Sequence, residues 1–262
     1  MPCAIGYNLL ACKMPTKLLL TSKMLDFNDM ENHTFNTSIG IQSKPTGIIE
    51  VGTSSEGYIA KLLLFLEEVL PKFGDSNFKI LKKYNEDDIT TQVVSFLQNQ
   101  RRRFFDNGVC CFEFCSQEPQ KKTRKIDIGT YINIFDNSNE LFFCIEAKRL
   151  PPPDNKKERE KEYVSGKKGG IARFKTNQHG IMRDSGKLIA HNAMFGYVEK
   201  HDFEYWYHQI NTWIEDDWGV DEMLQKEYFN AIAKLKSEHA RTDTDEKLYL
   251  THFWLPIVFS EK

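Results

Sequence analysis

The chain has 262 residues, with 35 Lys and Arg against 37 Asp and Glu. Its 40% hydrophobic and 27% charged content is that of an ordinary globular protein, long enough for one elaborated domain or two small ones. No run approaches the roughly 20 apolar residues of a membrane span, so no membrane partner is expected.

The first 55 residues have weak periodicity and many Asn, Thr and Ser, with a strand expected near Thr46 to Val51. Ile59, Leu62, Leu63, Leu66, Val69 and Leu70 then recur at helical spacing, which predicts a helix from Ser55 to Lys72 ended by Pro71 and Gly74. A second helix is expected from Asn85, a good N-cap, to about Arg103, with Ile89, Val93, Phe96 and Leu97 on its apolar face. Gly108 introduces a strand over Val109 to Ser116. A basic turn, residues 121 to 125, leads into two more strands, Lys125 to Phe135 and Leu141 to Lys148, joined at Asp136-Asn137-Ser138-Asn139.

Pro151-Pro152-Pro153 ends the third strand and opens a charged connector, Asp154 to Lys161. After Gly169-Gly170 a helix is expected from Ile171 to Gln178, then a strand from Leu188 to Val198. Helices are expected over Phe203 to Asp217 and Val220 to Ser237, and a last strand over Leu248 to Phe259. The expected organisation is a single domain over residues 1–262 with its core at 85–198. Residues 1–84 form an N-terminal extension and 199–262 a C-terminal helical one.

The central hairpin carries the chemistry. If the four turn residues close it, Phe135 pairs with Glu140 and Asp127 lies opposite Lys148 and diagonal to Glu146. Two carboxylates and a lysine then share one face, and burying them calls for compensation such as a divalent cation. A structural ion pair of Asp127 with Lys148 is the alternative. Charge is unevenly distributed around this hairpin. Residues 101–180 hold 17 Lys and Arg against 11 Asp and Glu, whereas 201–262 hold 6 against 13. The site thus lies in the basic third, as a phosphate-backbone binder requires.

Asp127 on one strand followed by Glu146-Ala147-Lys148 on the next resembles the PD-(D/E)XK nuclease superfamily. Ile126 stands where the motif's proline would be. The element order α-β-β-β-α-β over residues 85–198 is also that of the superfamily's restriction-endonuclease-like fold, an α/β class with a mixed central sheet flanked by helices. The segment from Glu146 to Pro151, taken with Glu162 to Lys175, is similar to a subgroup of bacterial nuclease-like proteins encoded with defence genes.

The resemblance implies a Mg²⁺- or Mn²⁺-dependent endonuclease acting on DNA, in restriction, phage defence or DNA processing, with RNA as the other substrate class. Asp127, Glu146 and the Ala147 carbonyl would be metal ligands, and Lys148 would orient water and stabilise negative charge. Glu86, on the inward stripe of the first core helix, matches a glutamate that completes the metal site in many members. Its placement is also explained by the helix macrodipole alone. Lys167, Lys168, Arg173 and Gln178 are the candidate nucleic-acid contacts. Family members that cut both strands often do so as homodimers. A catalytically silent scaffold that binds nucleic acid or protein is the competing reading.

His179 is expected to cap a helix end, His191 to be a satisfied core histidine, and the aromatics Phe203, Tyr205, Trp206, Tyr207, Trp213 and Trp218 to pack helices. Six cysteines at 3, 12, 110, 111, 115 and 144 form no disulfide or zinc pattern, so a reducing cytoplasm is the expected compartment.

Overall fold

The computed structural model describes residues 42–43, 49–50, 55–76, 80–104, 112–120, 124–133, 139–153, 159–166, 168–182 and 185–260. The chain divides into two compact units, Met1–Gly52 and Thr53–Lys262. In the first, β1 (Gln42–Ser43) and β2 (Ile49–Glu50) form an antiparallel pair.

The second unit opens with α1 (Ser55–Val69), continued by a 3₁₀ turn at Leu70–Lys72. Leu62, Phe65, Leu66 and Val69 line its buried stripe at helical spacing, while Leu64 points to solvent. Burying each such side chain contributes about 1.5–3 kcal/mol. After the short β3 (Ile80–Leu81), α2 (Glu86–Phe104) starts at a reciprocal cap. The Asp88 N–H donates to Asn85 Oδ1 at 2.9 Å, and the Asn85 N–H donates to Asp88 Oδ2 at 3.0 Å. The expected N-cap is therefore present, and it fixes where Glu86 enters the fold.

Next come β4 (Phe112–Pro119), β5 (Lys125–Asn133), β6 (Asn139–Leu150), α3 (Gly170–Lys175) and β7 (His191–Val198). The order α-β-β-β-α-β over residues 85–198 is the one expected. The strand expected from Leu188 begins three residues later, because Leu188 makes only an isolated bridge to Ile181 and the Ile189 N–H goes to the Gly180 carbonyl. The helix α4 (Phe203–Trp218) follows, N-capped by Asp202.

The predicted helix over Val220 to Ser237 is corrected. The segment forms a 3₁₀ turn at Val220–Glu222, then β8 (Gln225–Phe229) and the start of β9 (Ala233–Ala240). Ala233, Leu235, Ser237 and His239 are buried in strict alternation, a period of two, which is how a half-covered strand folds. With β10 (Lys247–Pro256) and the short β11 (Phe259–Ser260), the C-terminal part adds three strands to the main sheet rather than a helical extension.

The main sheet has seven strands in the order β4-β5-β6-β7-β10-β9-β8. Its centre, β6-β7-β10, is parallel, and both wings are antiparallel. One apolar cluster joins α1 and α2 to Ile145, Ala147, Phe195 and Phe253; the other joins α3 and α4 to Cys144, Leu150, Met194 and Trp254. This is an α/β architecture with helices on both faces. Strand β6, next to the central β7, is buried continuously from Leu141 to Lys148, as expected for a strand covered on both sides. Among the described residues no helix is long and apolar enough to cross a membrane.

Candidate functional site

The site forms where β5 and β6 part. Near the turn, Asn133 pairs with Asn139 and Tyr131 with Leu141; beyond it, Thr130 pairs with Phe143 and Ile128 with Ile145. The register therefore steps by one, and Phe142 is the bulged residue, its ring drawn into the α1/α2 cluster against Phe112. The step has a consequence. In the near-turn register Asp127 would fall level with Ile145 and face away from Glu146. The bulge brings it level with Glu146 instead. Asp127 opposite Lys148, as expected from a tight turn, is thus corrected by two positions. A two-residue shift preserves faces, so the three charged groups still share one.

The ladder of β5 with β6 stops at Ile128 and Ile145, and a side chain takes over: Asp127 Oδ2 accepts the Ala147 N–H at 2.7 Å. The Lys148 ammonium lies 2.9 Å from Glu146 Oε1 and 3.0 Å from Glu86 Oε1, and donates to the Ala147 carbonyl at 2.7 Å. Glu86 Oε2 accepts the Arg149 N–H at 3.1 Å. The first residue of α2 and the end of β6 are thereby tied together, with Glu86 on the inward side as its spacing predicted. Arg149 itself makes a bidentate pair with Glu199.

Two residues on the α3 side, Arg173 and His179, and one on β4 complete the arrangement. Arg173 Nη1 is 2.9 Å from Glu146 Oε1, so the guanidinium expected on a nucleic-acid path is held inside the site. His179 Nε2 is 3.7 Å from Glu146 Oε2 and 3.4 Å from Arg173 Nη1. The expected capping contact exists, since the His179 N–H donates to the Arg173 carbonyl at 3.2 Å, but the buried ring faces Glu146. Gln117 on β4 was not singled out from the sequence, where nothing marks it. Its amide lies 3.5 Å from Asp127 Oδ1.

The other expected contacts are less central. Lys168 is exposed ahead of α3, and the half-buried Gln178 donates its N–H to the Arg173 carbonyl at 2.8 Å. Lys167, Cys110 and Cys111 lie outside the described residues. His191 is only half-buried and stacks on Tyr249, whereas His239 and His252 are fully buried, as is His179. Trp206 and Trp213 pack in the core as expected.

Electrostatics set the protonation states. Burial, reinforced by Glu146 and Glu86, pushes the Asp127 carboxyl well above the usual range, and Lys148 offsets only part of this. For Glu146, 1% exposed, burial acts in the same direction but is outweighed by Lys148 and Arg173, which hold it ionised. Burial opposes the Lys148 ammonium, yet Glu146, Glu86 and Asp127 more than reverse it and keep the group protonated. Burial brings His179 down to about 4, so it is neutral at pH 7.

Mg²⁺ fits this set in donor chemistry. Asp127, Glu146 and Glu86 offer hard oxygens, and Glu146 Oε2 is buried without a hydrogen-bond partner. Three carboxylates face two cations, Lys148 and Arg173, so one negative charge lacks compensation. In the present arrangement the Lys148 ammonium bridges Glu86 and Glu146. Among the described residues no three His, Cys, Asp or Glu side chains are already drawn together as a metal cage. No protein-family model, curated protein or solved structure matches the chain.

Proposed function

We propose that this protein is a Mg²⁺-dependent nuclease of the PD-(D/E)XK type, hydrolysing phosphodiester bonds of DNA in restriction or DNA processing. Its restriction-endonuclease-like core would be the run from α2 to β7. The observation that carries this reading is the meeting of Glu86, Asp127, Glu146 and Lys148 where β5 and β6 part, from an element order that places all four.

Asp127, Glu146 and the Ala147 carbonyl would hold the ion, which supplies Lewis-acid neutralisation of charge at the scissile phosphate. The chain's own residues do the rest. Lys148, kept an ammonium by its carboxylate neighbours, stabilises negative charge developing on phosphate oxygens and is unsuited to accept a proton from water. Glu86 anchors that ammonium from α2. Arg173 offsets the charge of Glu146, which would otherwise be costly to bury.

One observation favours the second reading, a silent nuclease-like scaffold: Lys148 is saturated by Glu86, Glu146 and the Ala147 carbonyl. Incubating the full chain with Mg²⁺ and a panel of double-stranded DNA, single-stranded DNA and RNA separates the two. The nuclease reading expects cleavage of DNA that is lost in Lys148→Ala. Intact substrates throughout, with binding retained, favour the scaffold.

A further inference from the structure

Gln117 has φ of +55°, the left-handed region, in the middle of β4. The other non-glycine residues with positive φ among those described are Asn177 and His201, and both lie outside strands. A glutamine gains nothing locally from this conformation, which costs on the order of 1–2 kcal/mol. Nor does it correct an alignment. Ser116 pairs with Ile128 and Glu118 with Ile126, the same register on both sides, and the ladder is broken only at Gln117 and Asp127. The distortion therefore sits at the one position facing the candidate metal ligand.

The break carries the Gln117 amide nitrogen to a point 3.3 Å from Asp87 Oδ1 on α2 and 3.5 Å from Asp127 Oδ1 on β5. Asp127 Oδ2 is already engaged by the Ala147 N–H. The side-chain amide thus addresses the other oxygen of the same carboxylate, and links it to the helix that supplies Glu86. Backbone strain held at such a point is characteristic of sites where geometry serves function.

We propose that Gln117 is a positioning residue that orients the Asp127 carboxylate for its ligand, with strained backbone retained for that purpose. This rests on the nuclease reading above. Removing a residue that orients a metal ligand weakens metal affinity or activity roughly 10-fold or more, while glycine at a left-handed position relieves strain.

The test compares the full-length wild type with Gln117→Gly and Gln117→Ala. It measures melting temperature with and without Mg²⁺, and the Mg²⁺ concentration for half-maximal plasmid cleavage. Gln117→Gly is expected to melt no lower than wild type without Mg²⁺ and above Gln117→Ala. It is also expected to show a smaller rise on adding Mg²⁺ and to need roughly 10-fold more of it for cleavage. An unchanged Mg²⁺ requirement in an active Gln117→Gly overturns the inference alone, whatever the melting temperature. A wild type that leaves DNA intact in Mg²⁺ overturns the nuclease reading and this inference with it.

Discussion

Asp127 accepts the main-chain N–H of Ala147 at 2.7 Å, taking the place of a strand partner where β5 leaves β6. A carboxylate in this position satisfies a buried amide but carries a charge that burial, Glu146 and Glu86 disfavour. An acid whose folded pKa is raised gives its full stability only below its unfolded value, and loses it as pH rises through the folded one. At pH 7 its charge is therefore a cost. Asp127→Asn keeps an oxygen for the Ala147 N–H and removes that charge. Its melting temperature at pH 7 should equal or exceed that of wild type, as differential scanning calorimetry would show.

Lys148 is the cation on which Glu86 and Glu146 both depend. Removing one partner of a buried ionic cluster leaves the others uncompensated, at about 3–5 kcal/mol. Lys148→Met should lower the urea midpoint accordingly, and adding Glu146→Gln to it should recover part of the loss. Additive effects in that double mutant would indicate that the pair does not interact.

Gly196 pairs in parallel register with Lys148, and a Cβ there would run into the Trp254 ring and lie 3.0 Å from Leu150 Cδ1. Forcing a methyl into this packing costs about 1–3 kcal/mol. Gly196→Ala should therefore destabilise the protein although it removes no interaction, measurable by equilibrium unfolding.

A second buried network gives a pH dependence. The Trp254 indole donates to the Tyr163 hydroxyl at 2.9 Å, which meets His252 Nδ1 at 2.8 Å; His252 Nε2 meets Ser237 Oγ at 2.8 Å. Ser237 Oγ then meets His239 Nε2 at 2.7 Å, and His239 Nδ1 meets Glu222 at 2.8 Å. An indole only donates and a carboxylate only accepts, and a single run of donors from Trp254 to Glu222 satisfies every group between them with both histidines neutral. Burial holds both below the ordinary histidine value. Bases depressed in the folded state keep their stability above the unfolded pKa, about 6.5, and lose it as pH falls below that. The network should pull the melting temperature down between pH 7 and 5, against the opposite contribution of Asp127, and His252→Gln should flatten the slope the network adds. An equally steep slope in the variant would count against the network as its source.

Helical spacing in Leu62 to Leu70 and in Ile89 to Leu97, the Asn85 cap and the apolar run of β6 made the α/β order legible, because each depends on local chemistry. The C-terminal strands were not. Leu224, Tyr228 and Ile232 recur every four residues as in a helix, and only pairing of β8 and β9 onto β10 decides otherwise. The charged residues Glu86, Asp127, Glu146 and Lys148 stood out as polar groups on otherwise apolar elements. Their register did not, because Phe142 and Phe143 are equally apolar and nothing in the sequence says which one bulges. Gln117 and the His179 ring were hidden for the same reason: backbone conformation and turn geometry, not residue type, bring them to Glu146 and Asp127.

The most direct test of the central claim is cleavage of plasmid DNA in Mg²⁺ by wild type and Asp127→Asn, a variant expected to stay folded. Wild type should cut, chelation of Mg²⁺ should stop it, and the variant should be slower by roughly 100-fold or more. Equal cleavage by the two proteins, or none by either, would contradict the assignment of this site.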